Sequence, residues 1–450
     1  MTVRRNLLII LSRGLRSDVL ADGQAWPVTT PNLDSLAARG LRLEGHSACP
    51  ADDGGRISLL TGLHARQHGH VESCRGSVCD GWPALLAAQG YQVAGVGCVG
   101  ALRHHLAEAV VVADVQEIDS PDCAYLRAMA ERHQLKAIQL QRRQRERYGP
   151  FQPDRLLLEP DDDIDGFIAV EALRTLADLG TERPRALIVV FNGPGNDLPP
   201  PGMYDQVVDP GLLEAGFVPV DLTRLDALAE LDYPRVLLQR LDPIAVSRIR
   251  ADYLGRVSLI DHGVGRLLAQ LRDRADNDRT WVVAASDRGQ LLGEHGLMGH
   301  RSFLAGSIKV PIILAPPSPV DRRKGGRGVR GISTVDAAAT IAILGGCDLP
   351  DAVAGRSLLP LLGGDGAPVF ESSGPDGLCL SEFGQRLMLE TDRYKVVFST
   401  STRRAIGLYD LLNDGNECEN LIPTSAGRNV LDALRWRLAE ALLPLRSPSA

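Results

Sequence analysis

Unbroken apolar runs of six or seven residues punctuate the chain: NLLIIL (6–11), YQVAGVG (91–97), VVVADV (110–115), RALIVVF (185–191), TWVVAAS (280–286) and KVPIILA (309–315). A run without polar alternation predicts a strand covered on both faces, and so a parallel sheet sandwiched between helices. The intervening stretches agree. PNLDSLAARG and WPALLAAQG each show helical spacing closed by a glycine, and DYLGRVSLIDHGVGRLLAQLR (252–272) repeats apolar positions at the helical period. The expected architecture is a doubly wound, mostly parallel α/β sheet.

Three stretches break this rhythm. Residues 125–148 are polar and helix-prone, and the arginines of QLQRRQRER suit a solvated helix better than a nucleic-acid arm. Asp161, Asp162 and Asp163 form an acidic cap ahead of the helix that leads to Arg174. Residues 196–241 contain Pro199-Pro200-Pro201 and few strand signals, as segments covering a ligand crevice often do. After Leu362 the chain turns to GGDGAPVFESSGPDG, a linker composition. LCLSEFGQRLMLETDRYKVVFS then predicts antiparallel strands with a hairpin, closed by a helix over 430–443. The expected division is an α/β domain over 1–362 and a small α+β subdomain over 363–450.

Composition narrows the function. Over 450 residues, 44% are hydrophobic and 23% charged, which excludes disorder as the overall state, and a net charge of −7 offers no field for nucleic acid. No apolar run approaches the roughly 20 residues of a membrane span. The first run is too short for an export signal and lacks a cleavage site, so a cytoplasmic protein is expected. Eight cysteines, at 49, 74, 79, 98, 123, 347, 379 and 418, include no C-x-x-C pair; Cys74 and Cys79 in CRGSVC are the nearest approach to a metal or redox motif, and free, partly buried thiols are expected.

The chemistry-bearing signals lie at the ends of the predicted strands. NLLIILSRGLRSDVL followed by TTPNLDSLAARGLRL, then GGRISLLTGLHARQHGH, then SDRGQLLGEHGLMGHRSFLAGSIKVPIIL, and finally GLYDLLNDGNECENLI follow one another from residue 6 to 422. In that order they resemble the sulfatase branch of the alkaline phosphatase superfamily: its opening strand and metal loop, the end of its S-R-x-S-L-L-T-G signature, its second metal segment and its L-Y-D-L close.

The resemblance implies a doubly wound fold, a calcium ion held by carboxylates, and a nucleophile made by oxidising Cys or Ser to formylglycine. Carried over residue by residue, it implies a dismantled site. The Asp-Asp metal pair falls on Arg13 and Gly14, and the later pair on Asp287 and Arg288, so one carboxylate remains of four ligand positions. The nucleophile position, four before Arg56, is Asp52, with Asp53, Gly54 and Gly55 after it; Cys49 lies too far from Arg56 to be matured. The family's Lys and His fall on Cys98 and Gly100, its H-x-P-H on Asn192 to Gly195, and a later Lys on His300. Arg56 alone keeps both type and place.

The expectation is a sulfatase-like scaffold without calcium or formylglycine, serving as a binding or partner subunit. The alternative is a sulfuric or phosphoric ester hydrolase with a rearranged site. Two arrangements of the charges stay open. Arg13 and Arg288 can pair with Asp287, Asp52 and Asp53 in a closed network, or Arg13, Arg56, Arg288 and His300 can bind a sulfate or phosphate ester. A second copy of the chain or an intact sulfatase homologue is the expected protein partner. His68, His70, His104, His105, His262 and His295 are expected in packing or surface roles.

Overall fold

The predicted runs meet in one sheet. The computed structural model describes residues 4–20, 26–69, 80–99, 111–114, 123–149, 158–213, 227–317, 331–363 and 378–442. Its strands are β1 (Asn6–Arg13), β2 (Leu41–His46), β3 (Gln92–Gly97), β4 (Val111–Asp114), β5 (Arg185–Pro194), β6 (Thr280–Ser286), the two-residue pair β7 (Leu291–Leu292) and β8 (Met298–Gly299), β9 (Lys309–Ala315), β10 (Cys379–Phe383), β11 (Arg386–Glu390), β12 (Tyr394–Ser399) and β13 (Ala405–Asp410). Seven of them form the main sheet in the order β2-β9-β6-β1-β5-β3-β4. Pairings β6-β1, β1-β5, β5-β3 and β3-β4 are all parallel.

Two strand expectations need correction. KVPIILA forms β9 as predicted, but β9 runs antiparallel to both β6 and β2. An unbroken apolar run reports cover on both faces and carries no information about direction. β2 was not among the expected strands, because Glu44 and Gly45 interrupt its apolar positions; it is an edge strand, and its Glu44 is exposed.

Helices flank the sheet where glycines and caps delimit them. α1 (Pro31–Arg39) begins with proline in its first turn and stops at Gly40, where a Cβ would lie 2.0 Å from Leu314 O of β9. The long predicted helix spans Pro243–Asp273, longer than its periodic core, because Asp242 accepts from Ala245 N and Pro243 occupies the first turn. The polar stretch 125–148 forms two helices, Ala124–Glu131 and Leu135–Tyr148, the second burying only Ile138, Gln141 and Gln144. The acidic cap is in place: Asp163 accepts from Asp165 N at the start of the helix Ile164–Asp178.

β10 to β13 form a four-stranded antiparallel sheet, and the closing helix Ser425–Leu442 starts five residues before the expected position. Phe383, Met388, Val397 and Tyr409 on this sheet join the main core. Leu380, Leu387, Leu389 and Val396 point the other way and pack with Leu431 and Leu434 of the closing helix. The expected linker residues 364–377 lie outside the described residues, as do Cys74 and Cys79. The other six cysteines are free thiols, and only Cys418 among them is exposed. Among the described residues no helix is long and apolar enough to cross a membrane.

Candidate functional site

Register decides which side chains meet. β1 lies between β6 and β5, with Ser12 opposite Ser286 and Arg13 opposite Pro194. The segments leaving these strands, Arg13-Gly14, Asn192 to Gly195 and Asp287-Arg288, therefore converge at the carboxyl edge of three adjacent parallel strands, the usual place for a ligand crevice in such sheets. Backbone bonds tie them together: Gly195 N donates to Arg13 O at 2.9 Å and Asp287 N to Ser12 O at 3.2 Å. Ser47 Oγ donates to Asp287 O at 2.5 Å, and Ser286 Oγ accepts from Leu15 N at 3.0 Å.

A helix closes the site from the other side. α2 (Asp52–Thr61) carries two glycines in its first turn, Gly54 and Gly55, and Gly55 has a packing reason: a Cβ there would lie 2.5 Å from Cys49 O and 2.8 Å from Asp287 O. This close approach brings Arg56, one turn along, against Asp287. The side chain of Asp52 lies outside the described residues, as does Gly100.

The charged groups form a buried network, with Arg56, Asp287 and Arg288 exposed by only 1%, 1% and 2%. Arg288 Nη1 donates to both Asp287 oxygens, at 3.0 Å and 3.2 Å. Arg56 Nε stands 3.5 Å from Asp287 Oδ2, its Nη2 donates to Asp53 Oδ1 at 3.0 Å, and its Nη1 donates to Cys98 O at 3.1 Å. Burial and the nearby Arg13 guanidinium lower the pKa of Arg56 to about 10 against the pull of Asp287 and Asp53. Arg13 Nη1 itself donates to Asn192 Oδ1 at 3.2 Å, and Cys98 Sγ donates to the same oxygen at 3.3 Å. Burial pushes the Cys98 thiol up to about 11, although Arg13 and Arg56 pull it down.

The structure thus brings Arg13, Arg56, Cys98, Asn192, Asp287 and Arg288 together at the carboxyl edge of the sheet. Arg13, opposite Pro194 in the register of β1 with β5, reaches Asn192 of that strand with its Nη1. His300 was expected beside the arginines, and it faces Asp232, whose Oδ2 lies 3.8 Å from its Nδ1 and accepts from Arg301 N at 2.9 Å. Of the remaining histidines, His68 Nε2 meets Ser58 Oγ at 2.9 Å in the core and His262 bonds Tyr204. His295 lies in a short 3-10 turn, and His70, His104 and His105 lie outside the described residues.

A brace not foreseen from the sequence holds the Asn192 loop. Asp165 Oδ1 accepts from Asn192 N at 2.7 Å and Gly193 N at 3.0 Å, while its Oδ2 takes Arg256 Nη1 at 2.9 Å. Arg256 Nη2 also reaches Asp163 Oδ2 at 2.7 Å. Burial pushes the Asp165 carboxyl up to about 6, against Arg256 and with Asp163 adding to the rise. The run DDDID (161–165) was the available signal, but it reads locally as helix capping.

Whether this edge fits the family's calcium can be tested on its donors. Calcium takes about six to eight oxygens. Of the four family positions, two are arginines, one is a glycine, and the surviving carboxylate, Asp287, already accepts from Arg288 with Arg56 beside it. Gly14 has φ 84°, and a Cβ there would lie 2.8 Å from Gly195 Cα, so a carboxylate side chain at this position would require that backbone to shift. Among the described residues no group of three or more His, Cys, Asp or Glu side chains is placed to hold a metal. The residues do not fit the ion.

Charged groups at the carboxyl edge of a mostly parallel sheet, followed by a small antiparallel sheet, define an α/β scaffold of the alkaline phosphatase type. Solved structures agree: the phosphonate monoester hydrolase of Agrobacterium radiobacter superposes with a TM-score of 0.77, covering 97% of this chain and 95% of that one at 19% identity. Two family profiles match, "Sulfatase" over residues 123–346 and "N-sulphoglucosamine sulphohydrolase, C-terminal" over 293–442. The chain belongs to the sulfatase family of the alkaline phosphatase superfamily. The matched stretches contain Asp287 and Arg288 but neither Arg13-Gly14 nor Arg56. Among relatives, the choline-sulfatase of Rhizobium meliloti is 26% identical over 81% of this chain and 72% of its own length. The multifunctional alkaline phosphatase superfamily protein PehA of Trinickia caryophylli is 30% identical over 45% of this chain, which spans 42% of it.

Proposed function

We propose that this sulfatase-family protein does not hydrolyse esters and serves instead as a binding or partner subunit. The observation that carries the reading is the state of Asp287, whose carboxylate is engaged by Arg288 and flanked by Arg56 where the family would coordinate a cation. Two like unit charges about 4 Å apart repel by about 4 kcal/mol at an effective dielectric of about 20, so guanidinium groups at this range oppose entry of a divalent ion. Without such an ion, the electrostatic stabilisation that dominates ester hydrolysis is weak. The chain's partner in this reading is a second copy or an intact sulfatase homologue, and its ligand, if the arginines open, is a sulfate or phosphate ester.

Hydrolysis of sulfuric or phosphoric esters by a rearranged site is the second reading. The relatives favour it, since the proteins similar to this chain are named as sulfatases and phosphonate monoester hydrolases. Arg56 in its family place, and a carboxylate residue, Asp52, at the nucleophile position, agree with it.

Turnover decides between the two. Nitrophenyl sulfate, phosphate and phenylphosphonate are offered to the full chain with and without calcium or manganese. The first reading expects no release of nitrophenol above the protein-free rate. Cation-dependent release with any of the three esters establishes the second.

A further inference from the structure

A second constellation of reactive groups lies at the seam between the two sheets. His46 ends β2, Cys379 begins β10, and the antiparallel register sets Cys379 opposite Glu390 at the end of β11. Paired residues in such a register share a face of the sheet. Cys379 Sγ lies 3.1 Å from His46 Nδ1, and His46 Nε2 lies 2.9 Å from Glu390 Oε1. Glu390 Oε2 is in turn 3.2 Å from Lys395 Nζ, which also bonds Phe303 O at 2.6 Å and pairs with Glu417.

This is the order of groups that activates a nucleophile: a thiol, a base within reach of its proton, and a carboxylate that orients the base from behind. Lys395 and His46 hold Glu390 below the usual carboxylate range despite its burial, so Glu390 stays an anion behind the imidazole. Burial works against a charged His46, yet Cys379 and Glu390 outweigh it and raise its pKa to about 10. The other charges near the seam are Lys309, which lowers the Glu390 pKa, and Glu44, 3.1 Å from Lys309 Nζ.

We propose that Cys379 is a site of oxidation by small hydroperoxides, with His46 as its base and Glu390 as the residue that positions His46. The sulfur attacks one peroxide oxygen, so an S–O bond forms as the O–O bond breaks. The thiol proton, already held on His46 Nδ1, passes to the departing hydroxide, which leaves as water. Sulfur loses two electrons in becoming sulfenic acid, and the peroxide gains them. Cys379 is 3% exposed, so access is restricted to reagents near the size of water, which hydrogen peroxide is. The inference is independent of the reading of the family site.

The test compares one cysteine in two states of the same protein. The full chain is exposed to hydrogen peroxide at neutral pH for timed intervals, folded or in concentrated urea. The peroxide is removed by desalting into urea that holds a sulfenic-acid-trapping dione, so that trapping always occurs on unfolded chain, and the label on each cysteine is counted by peptide mass spectrometry. Burial alone slows a thiol, whereas activation by a neighbouring base speeds it. Cys379 is expected to label about tenfold faster folded than unfolded, while Cys347, a buried thiol whose pKa burial pushes up to about 11, labels more slowly when folded. His46→Gln is expected to remove most of the Cys379 advantage. A Cys379 rate that is lower folded than unfolded, or unchanged in a folded His46→Gln protein, overturns the proposal.

Discussion

Two buried charge clusters lie on either side of Asn192, and they are opposites. On one side Arg256 stands between Asp163 and Asp165, so carboxylates outnumber the cation, and Asp165 responds with a pKa pushed up to about 6. On the other, Arg56 and Arg288 flank Asp287 with the Arg13 guanidinium near Arg56, and Arg56 responds with a pKa lowered to about 10. The acidic cluster is a brace: the oxygens of Asp165 are taken by two backbone amides and Arg256, which fixes the loop from Asn192. The arginine cluster sits where the family resemblance puts a divalent cation, at the carboxyl edge of β1 and β6. A site built to hold a cation has surplus carboxylate, whereas here two guanidinium groups flank Asp287, the one carboxylate left at the family's ligand positions.

The largest effects should come from breaking each cluster at its hub. Asp287→Asn leaves Arg56 and Arg288 buried beside a neutral amide, and Arg256→Met leaves Asp163 and Asp165 buried without their shared cation. Each is expected to cost about 3–5 kcal/mol in urea denaturation, the range for removing one partner of a buried pair. The two should separate with pH, because Asp165 can take up a proton when Arg256 is lost, whereas arginine keeps its charge at any ordinary pH. Arg256→Met is therefore expected to regain stability in mildly acidic buffer, and Asp287→Asn is not.

Returning a family carboxylate by Gly14→Asp sharpens the comparison at an intermediate scale. The left-handed backbone and the 2.8 Å approach to Gly195 Cα predict a loss of about 1–3 kcal/mol and no gain in calcium affinity, read by thermal melts with and without the ion. A rise in melting temperature with calcium would mean that the loop can reopen into a metal site.

The smallest effect is a pH dependence. Native Asp165 holds its proton to a pKa of about 6, above the roughly 3.9 of the unfolded chain, so the native state binds more protons between those values. Its contribution to stability is then full below about pH 4 and is lost as pH rises through about 6. The stability difference between the wild type and Asp165→Asn, followed by urea titration from pH 4 to 7, should move against the wild type as pH rises.

The arginine cluster was legible in the sequence and the acidic brace was not. Arg13, Asp287 and Arg288 end apolar runs, and a run that stops at a charge locates a strand end without further information. Arg56 and Asn192 followed from spacing within the family segments. Asp165 and Arg256 are 91 residues apart, and each has a sufficient local explanation, one in a helix cap and the other in the middle of a long helix. The strands tell the same story. β1, β3, β5 and β6 were visible because burial on both faces leaves an unbroken apolar pattern. β2 escaped because an edge strand alternates, and the direction of β9 escaped because direction leaves no trace in hydrophobicity.

The most direct test of the arginine-for-cation account is the metal content of the full chain, purified without chelator, dialysed against calcium and measured by elemental analysis. The account predicts far less than one divalent ion per chain, unchanged by Asp287→Asn. One tightly held calcium per chain, lost with that substitution, would contradict it.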